Sequence, residues 1–480
     1  MHENNGKGIR KPTMAESVTV LLVFVAIVAV GYMVFSLKIE VLMILAAIFA
    51  AIMAMRCGYS WEQLEAAICK KIYQATPAIL IMWTIGIVIG SLMYSGTIPM
   101  VIYYGLKFIE PKFLYLSTFL ICCLMSIVTG TSWGSAGTIG VAMMGVAAGL
   151  GASLPITAGA VVSGVIFGDK LSPLSETTNL APLCAECSLY EHIGSMMYSS
   201  IVPAVLSAIV FWLAGIRSDI SSASLPESAV ALMEGLSNMY HWNLLLLLPF
   251  AVILVCALFK KPPVPTMVGA SLLALVLGWL NQGFDLAAGT KALISGFNTT
   301  MIYSGTVTAD ISSILNRGGM AGMVSIIIVL YCGYAYTAII SEAGFLETAI
   351  RPMMRHINNR VQLITMTLVC DFFIMACSGS SYPAHIVTAD IFKQKFKDFD
   401  LHPKVLSRTL EDVGTMMAPL IPWAASGAFY IATLGVPIFG KDGFALWAIN
   451  TYTNPLIAIL LAVTGIGMFK CAAPENNSPK

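Results

Sequence analysis

The residues best suited to chemistry fall in three polar clusters, each at the end of an apolar run. The first is GDKLSPLSETTNLAP, Gly168 to Pro182, which packs Asp169, Lys170, Ser172, Ser175, Glu176, Thr177, Thr178 and Asn179 into eleven residues. Pro173 lacks a backbone donor and so stops a regular helix from passing through. At membrane depth, irregular polar backbone is tolerated only where protein buries it or where it lines a wet cavity. Carboxylate, hydroxyl and carbonyl oxygens together suit a hard cation such as Na+, which exchanges its water shell for them. An ordinary surface loop is the plain alternative, and the flanking apolar helices and Pro173 weigh against it.

The second cluster is TGTSWGS, Thr129 to Ser135. Gly130 and Gly134 permit an unwound helix, while Thr129, Thr131 and Ser132 present oxygens; close helix packing through small residues is the alternative. Residues 130–134 also fit the G-x-S-x-G nucleophile elbow, but that turn needs a preceding strand and a His partner, here His192 or His385. An intramembrane serine protease is therefore only a distant alternative. The third cluster joins Asp371, inside an apolar run, and Ser378, Ser380 and Ser381 at its end to SRTLEDVGTMMAPLIPW, Ser407 to Trp423. An ionisable group among apolar neighbours is costly and marks function by default. Glu411, Asp412 and Thr415 stand before Pro419 and Pro422, again acids at a broken helix. Arg408 with Glu411 reads equally well as an interfacial salt bridge. Asp310 and Asp390 are weaker, and His385, a lone histidine, reads as structural. Cys184 and Cys187 form a CxxC without a second pair or a His at ligand spacing, so no metal site is expected there.

The elements that must position these clusters are membrane helices. Of 480 residues, 58% are hydrophobic and 11% charged, far below the roughly 25% charge of soluble domains. A net charge of +1 without a basic face excludes nucleic acid as a partner. Apolar runs lie near 17–35, 41–55, 76–95, 113–128, 136–150, 153–168, 195–215, 243–259, 264–280, 320–341, 361–377, 382–392, 414–434 and 444–468. They predict an all-α polytopic bundle of about 11 to 14 crossings or half-crossings. The 11 cysteines sit mostly inside these runs, as small hydrophobes rather than a disulfide framework.

An internal repeat emerges when residues 76–135 are laid, ungapped, on residues 248 positions later. Trp83 then meets Tyr331, Gly96 meets Gly344, and TGTSWGS falls on CSGSSYP, 377–383. The Glu411–Asp412 pair answers Asp169 at nearly the same shift. Lys and Arg concentrate in 1–16, 56–75, 260–261, 351–360 and 393–408, which the positive-inside tendency reads as a cytoplasmic tail and cytoplasmic loops. The acidic connector 217–242 then lies outside, and the repeats are inverted. The expected organisation is a tail (1–16), a first repeat (17–216), the connector, a second repeat (243–468) and a second tail (469–480), with both termini cytoplasmic. Secondary transporters use this architecture, placing substrate between interrupted helices at the midplane. A cavity carboxylate favours its protonated form, and a bound cation reverses the preference. Competition at a site open to one side at a time gives antiport. Asp169 and Asp412 are the favoured competitors, followed by Glu176 and Asp371; the expected Na+ ligands are Asp169, Thr131, Ser132 and Asp412. No cofactor is expected beyond Na+ and H+.

TSWGSAGTIGVAMMG together with GDKLSPLSETTNLAP resembles the NhaC family of bacterial Na+/H+ antiporters, within the wider ion transporter superfamily, and the likeness runs from about residue 17 to 468. The family often carries Asp where this chain has Glu176. The resemblance implies a multi-pass antiporter of the bacterial inner membrane. Related members carry malate and lactate, or amino acids, which makes coupled organic-acid or amino-acid transport the main alternative, with Lys170 and Arg408 as partners for an anion. It further implies a homodimer with a moving transport domain.

Overall fold

A computed structural model describes residues 9–35, 37–218, 227–302, 307–350, 352 and 357–471. Outside them lie the tails to residue 8 and from residue 472, positions 219–226 of the expected connector, and Arg351 and Arg355 of the basic stretch. The Asp310 side chain is outside as well.

The helices in order are α1 (Met14–Ala29), α2 (Ile39–Arg56), α3 (Trp61–Tyr94), α4 (Thr97–Phe108), α5 (Leu114–Thr129), α6 (Ser132–Ser135), α7 (Val141–Gly149), α8 (Leu154–Leu171), α9 (Glu176–Ala185), α10 (Leu189–Arg217) and α11 (Glu227–Met239). They continue as α12 (Leu248–Leu258), α13 (Pro263–Leu280), α14 (Leu286–Ser295), α15 (Ala309–Leu315), α16 (Val324–Glu342), α17 (Phe345–Ile350), α18 (Arg360–Ser378), α19 (Ser381–Asp398), α20 (Pro403–Leu410), α21 (Ala425–Leu434) and α22 (Ile449–Thr464). Among the described residues, 8 helices are long and apolar enough to cross a membrane, or up to 10 if each bent pair counts as one span; α1 and α22 are shorter apolar helices. The chain is an all-α polytopic membrane protein. The remaining runs fall on helices broken too early to span alone.

Two basic stretches differ from expectation: 393–408 falls mostly on the end of α19 and on α20, and 56–75 falls mostly on α3. Residues 56–75 read as a loop, yet α3 begins at Trp61 and continues past Pro77 to Tyr94. Its start is secured by a capping box between Ser60 and Gln63. At 1.5 Å per residue this helix is about 50 Å long, so its basic first turns extend beyond a core of about 30 Å without any loop.

α5 packs along α8, α18 along α19, and α16 against α2 and α3. On α8, a Cβ at Gly164 or Gly168 would lie 2.6 or 2.4 Å from the carbonyl oxygens of Phe119 and Cys123. The backbones of α5 and α8 are therefore in contact, as small residues allow when helices associate in lipid. The buried apolar side chains gather in three clusters, one around α3, α5, α7 and α8, one around α18 to α20, and one around α1, α2 and α16.

Candidate functional site

Two interrupted helices form the frame of the site. α5 stops at Thr129, Gly130 turns the chain with φ +65°, Thr131 is extended, and Ser132 starts α6. α18 repeats the device: it stops at Ser378, Gly379 has φ +65°, Ser380 is extended, and Ser381 starts α19. Left-handed backbone favours glycine, which has no Cβ to clash. Gly130 and Gly379 lie 249 residues apart, whereas Gly96 and Gly344, also with positive φ, lie 248 apart. The expected ungapped register therefore shifts by one residue between these landmarks, pairing Ser132 with Ser381.

In the first half the break of α5 rests on the break between α8 and α9. A Cβ on Gly130 would come within 2.4 Å of Leu174 Cβ and 2.7 Å of its carbonyl carbon. This approach sets Ser132 beside Asp169, to whose Oδ2 its hydroxyl donates at 2.9 Å. Both side chains are buried. The intervening loop is held by its own polar groups. Thr178 Oγ1 donates to the Asp169 and Lys170 carbonyls at 3.2 and 3.1 Å, and Asn179 Nδ2 to those of Pro173 and Ser175 at 2.9 and 2.6 Å. Ser172 Oγ accepts from the Leu174 amide at 3.3 Å. Thr129 and Ser135 hydroxyls pair at 2.9 Å, and Thr131 Oγ1 caps the Gly134 amide at 3.2 Å.

The second half uses its oxygens differently. Ser378 Oγ donates to the Ser380 carbonyl at 2.8 Å and Ser381 Oγ to that of Gly414 at 2.6 Å. Tyr382 reaches across the halves and donates to Glu176. α20 runs into a widened π turn, Glu411–Thr415, and its acids point into the protein. Asp412 Oδ1 accepts from Lys170 Nζ at 2.5 Å and from Ser199 Oγ at 2.6 Å, while Lys170 also donates to Asn454 Oδ1 at 2.6 Å. Arg408 Nε lies 3.9 Å from Asp412 Oδ2 and its Nη1 donates to the Gly467 carbonyl at 3.0 Å. Lys170 thus neutralises Asp412, not its neighbour Asp169.

A cavity of about 810 Å³ lies between the two breaks. Of the residues selected from sequence, Thr129, Thr131, Ser132, Asp169, Ser175, Glu176, Thr177, Asn179, Ser380, Ser381 and Thr415 line it. Ser172, Thr178, Asp371, Ser378, Glu411 and Asp412 stand behind its wall. Asp412, expected to compete for the cation, is instead bonded to a lysine of the chain itself. Sequence reasoning missed Lys71, Lys260 and Lys261 in the lining, where they had registered only as loop charge. It also missed Ser199, bonded to Asp412, and Asn454, bonded to Lys170, each across more than 200 residues. Neither histidine considered for Ser132 bonds to it: His192 Nδ1 pairs with Ser407 Oγ at 2.6 Å and His385 Nε2 with Thr415 Oγ1 at 3.2 Å. Among the described residues, the two histidines weighed for a protease are thus bonded elsewhere.

Comparison with known proteins bears directly on this frame. The pattern of the Na+/H+ antiporter family matches residues 12–178 and 164–466, both breaks included. The chain belongs to the Na+/H+ antiporter family. It is 38% identical to an uncharacterised Na+/H+ antiporter of Haemophilus influenzae, over 96% of this chain and 98% of that one. A malate-2H+/Na+-lactate antiporter of Bacillus subtilis is 32% identical over 96% of both chains. The Na+/H+ antiporter NhaC of Alkalihalophilus pseudofirmus is 32% identical over 96% of this chain and 98% of the relative. As a family member, this multi-pass protein has Na+ and H+ as its ions.

Proposed function

We propose that this antiporter exchanges Na+ and H+ at Asp169, with Ser132 as a neighbouring ligand and the Thr131 and Ser175 oxygens completing the cation's shell. The observation that carries the reading is the placement of Asp169: a buried carboxylate, hydrogen-bonded by Ser132, on the wall of the cavity between two broken helices. A cation arriving there displaces the proton that a desolvated carboxylate otherwise retains, and the reverse step reloads it. Exchange follows if the cavity opens to one side at a time. No catalysis and no cofactor enter the cycle. The positive-inside tendency of the basic segments favours cytoplasmic termini, and the family resemblance favours a bacterial inner membrane. The exposed apolar face of α10, with Val202, Val205, Ile209 and Trp212, is assigned to lipid or to a second copy.

A second reading has its own support. The cavity exceeds what one bare ion fills, and Lys71, Lys260 and Lys261 in its lining offer charge for a carboxylate. A small organic acid or amino acid could ride with the ions. Proton movement in vesicles of purified protein separates the two: Na+ alone suffices for the first reading, while the second requires malate, lactate or an amino acid. Asp169→Asn should abolish the signal in either case, and activity retained by that variant would remove Asp169 from the site.

A further inference from the structure

The mechanism above leaves one buried ionisable group unused. His385 of α19 sits between two acids, with Nδ1 3.5 Å from Asp371 Oδ2 of α18 and Nε2 3.9 Å from Glu411 Oε1 of the π turn. All three side chains are fully buried. Among the described residues, both oxygens of Asp371, both of Glu411 and Nδ1 of His385 have no hydrogen-bond partner. The Lys170–Asp412 pair differs: Lys170 and Ser199 both donate to Asp412 Oδ1, Asn454 accepts from Lys170, and only Asp412 Oδ2 is left without a hydrogen bond. Buried polar groups are normally hydrogen-bonded, and a permanently ionised pair requires it. Two carboxylates around one imidazole, left unbonded, form a group with places for added protons. Gly414 makes the room, since a Cβ there would lie 2.2 Å from Asp371 Oδ2 and 2.6 Å from His385 Cε1.

The group also has a way out. Thr415 Oγ1 contacts His385 Nε2 at 3.2 Å, and Thr415 lines the cavity. We propose that Asp371, His385 and Glu411 form a second proton site, separate from Asp169, that is loaded and emptied through the Thr415 hydroxyl during transport. A hydronium ion in the cavity gives its proton to Thr415 Oγ1 and leaves as water, while that hydroxyl passes its own proton to Nε2 of the neutral imidazole. The imidazolium so formed is stabilised by Asp371 and Glu411, and unloading reverses each step. No other reactant is needed. The surrounding charges are committed elsewhere: Lys170 to Asp412, Arg408 to Gly467 and Asp412, Arg360 to the Ala462 carbonyl, Glu176 to Tyr382, Glu186 to Lys393, and His192 to Ser407.

This inference rests on the antiporter reading, so the test counts both ions in the same vesicles, with a trapped pH dye and radioactive sodium. The wild type is expected to move one more proton per Na+ than His385→Gln or Asp371→Asn, with Na+ binding retained in both variants. Thr415→Val removes the route but no charge, and reports even if a variant of the buried trio fails to fold; it should also lose the extra proton. If the folded variants keep the wild-type ratio and its pH dependence, the second site is overturned while antiport stands. If wild-type vesicles move no protons on adding Na+, the antiporter reading fails first.

Discussion

The breaks at Gly130 and Gly379 share one backbone design and carry different side chains. At Gly130 the restarted helix presents Ser132 to a carboxylate on the cavity wall. At Gly379 the matching Ser381 binds a backbone carbonyl, and the nearby acids, Asp371 and Glu411, are sealed around His385. The packing differs too: Gly130 presses on the Leu174 backbone, whereas the nearest atom to a Cβ on Gly379 is Trp423 O at 3.4 Å. A helix break supplies exposed backbone and room, but the access of a carboxylate decides what binds there. On the two readings proposed above, one backbone design would serve a cation at one break and protons at the other.

The comparison breaks most directly at its acids. Asp169→Asn should reduce Na+-driven proton movement in vesicles to the level of empty liposomes, while Asp390→Asn, on an exposed side chain, should leave it unchanged. Next in size is the buried pair joining the halves. Lys170→Met should cost about 3–5 kcal/mol because it strands the Asp412 charge. Adding Asp412→Leu should restore part of that loss, as read from thermal unfolding in detergent. Gly130→Ala should cost about 3 kcal/mol from left-handed strain plus overpacking against Leu174. Gly379→Ala carries the strain alone, about 1–2 kcal/mol; equal losses would undo the contrast in packing.

Smaller effects sharpen the same contrast. Ser132→Ala removes a hydrogen bond to a carboxylate, worth roughly 1.5–3 kcal/mol, and should raise the KM for Na+ about tenfold or more. Ser381→Ala should change that KM little. The smallest effect belongs to the surface. The Lys393 ammonium bonded to Glu186, with Lys397 nearby, holds this exposed carboxyl below its ordinary range. A carboxyl depressed in the folded state stabilises at neutral pH and loses that contribution as pH falls through its lowered value. Glu186→Gln should therefore lower the melting temperature slightly at pH 7, and the difference should vanish in acid.

Much of this was legible in the residues. Pro173, Gly130 and the hydroxyl runs marked the breaks because proline and left-handed glycine act locally, whatever the fold. The apolar runs 41–55 and 382–392 are helices too, in α2 and α19. The first turns of α3, 61–75, are not legible in the same way, because their charges imitate a loop when only hydropathy is weighed.

By itself the sequence determined the membrane setting, the broken helices and the oxygen-rich clusters, since composition, backbone preference and polar spacing are properties of neighbouring residues. Tertiary structure alone decided which acid faces the cavity. Asp169 and Lys170 are adjacent in the chain, yet one lines the cavity and the other is bonded to Asp412, because successive residues on a helix point about 100° apart. What each meets is set by α6, α10, the π turn and α22, brought together from positions up to 284 residues away.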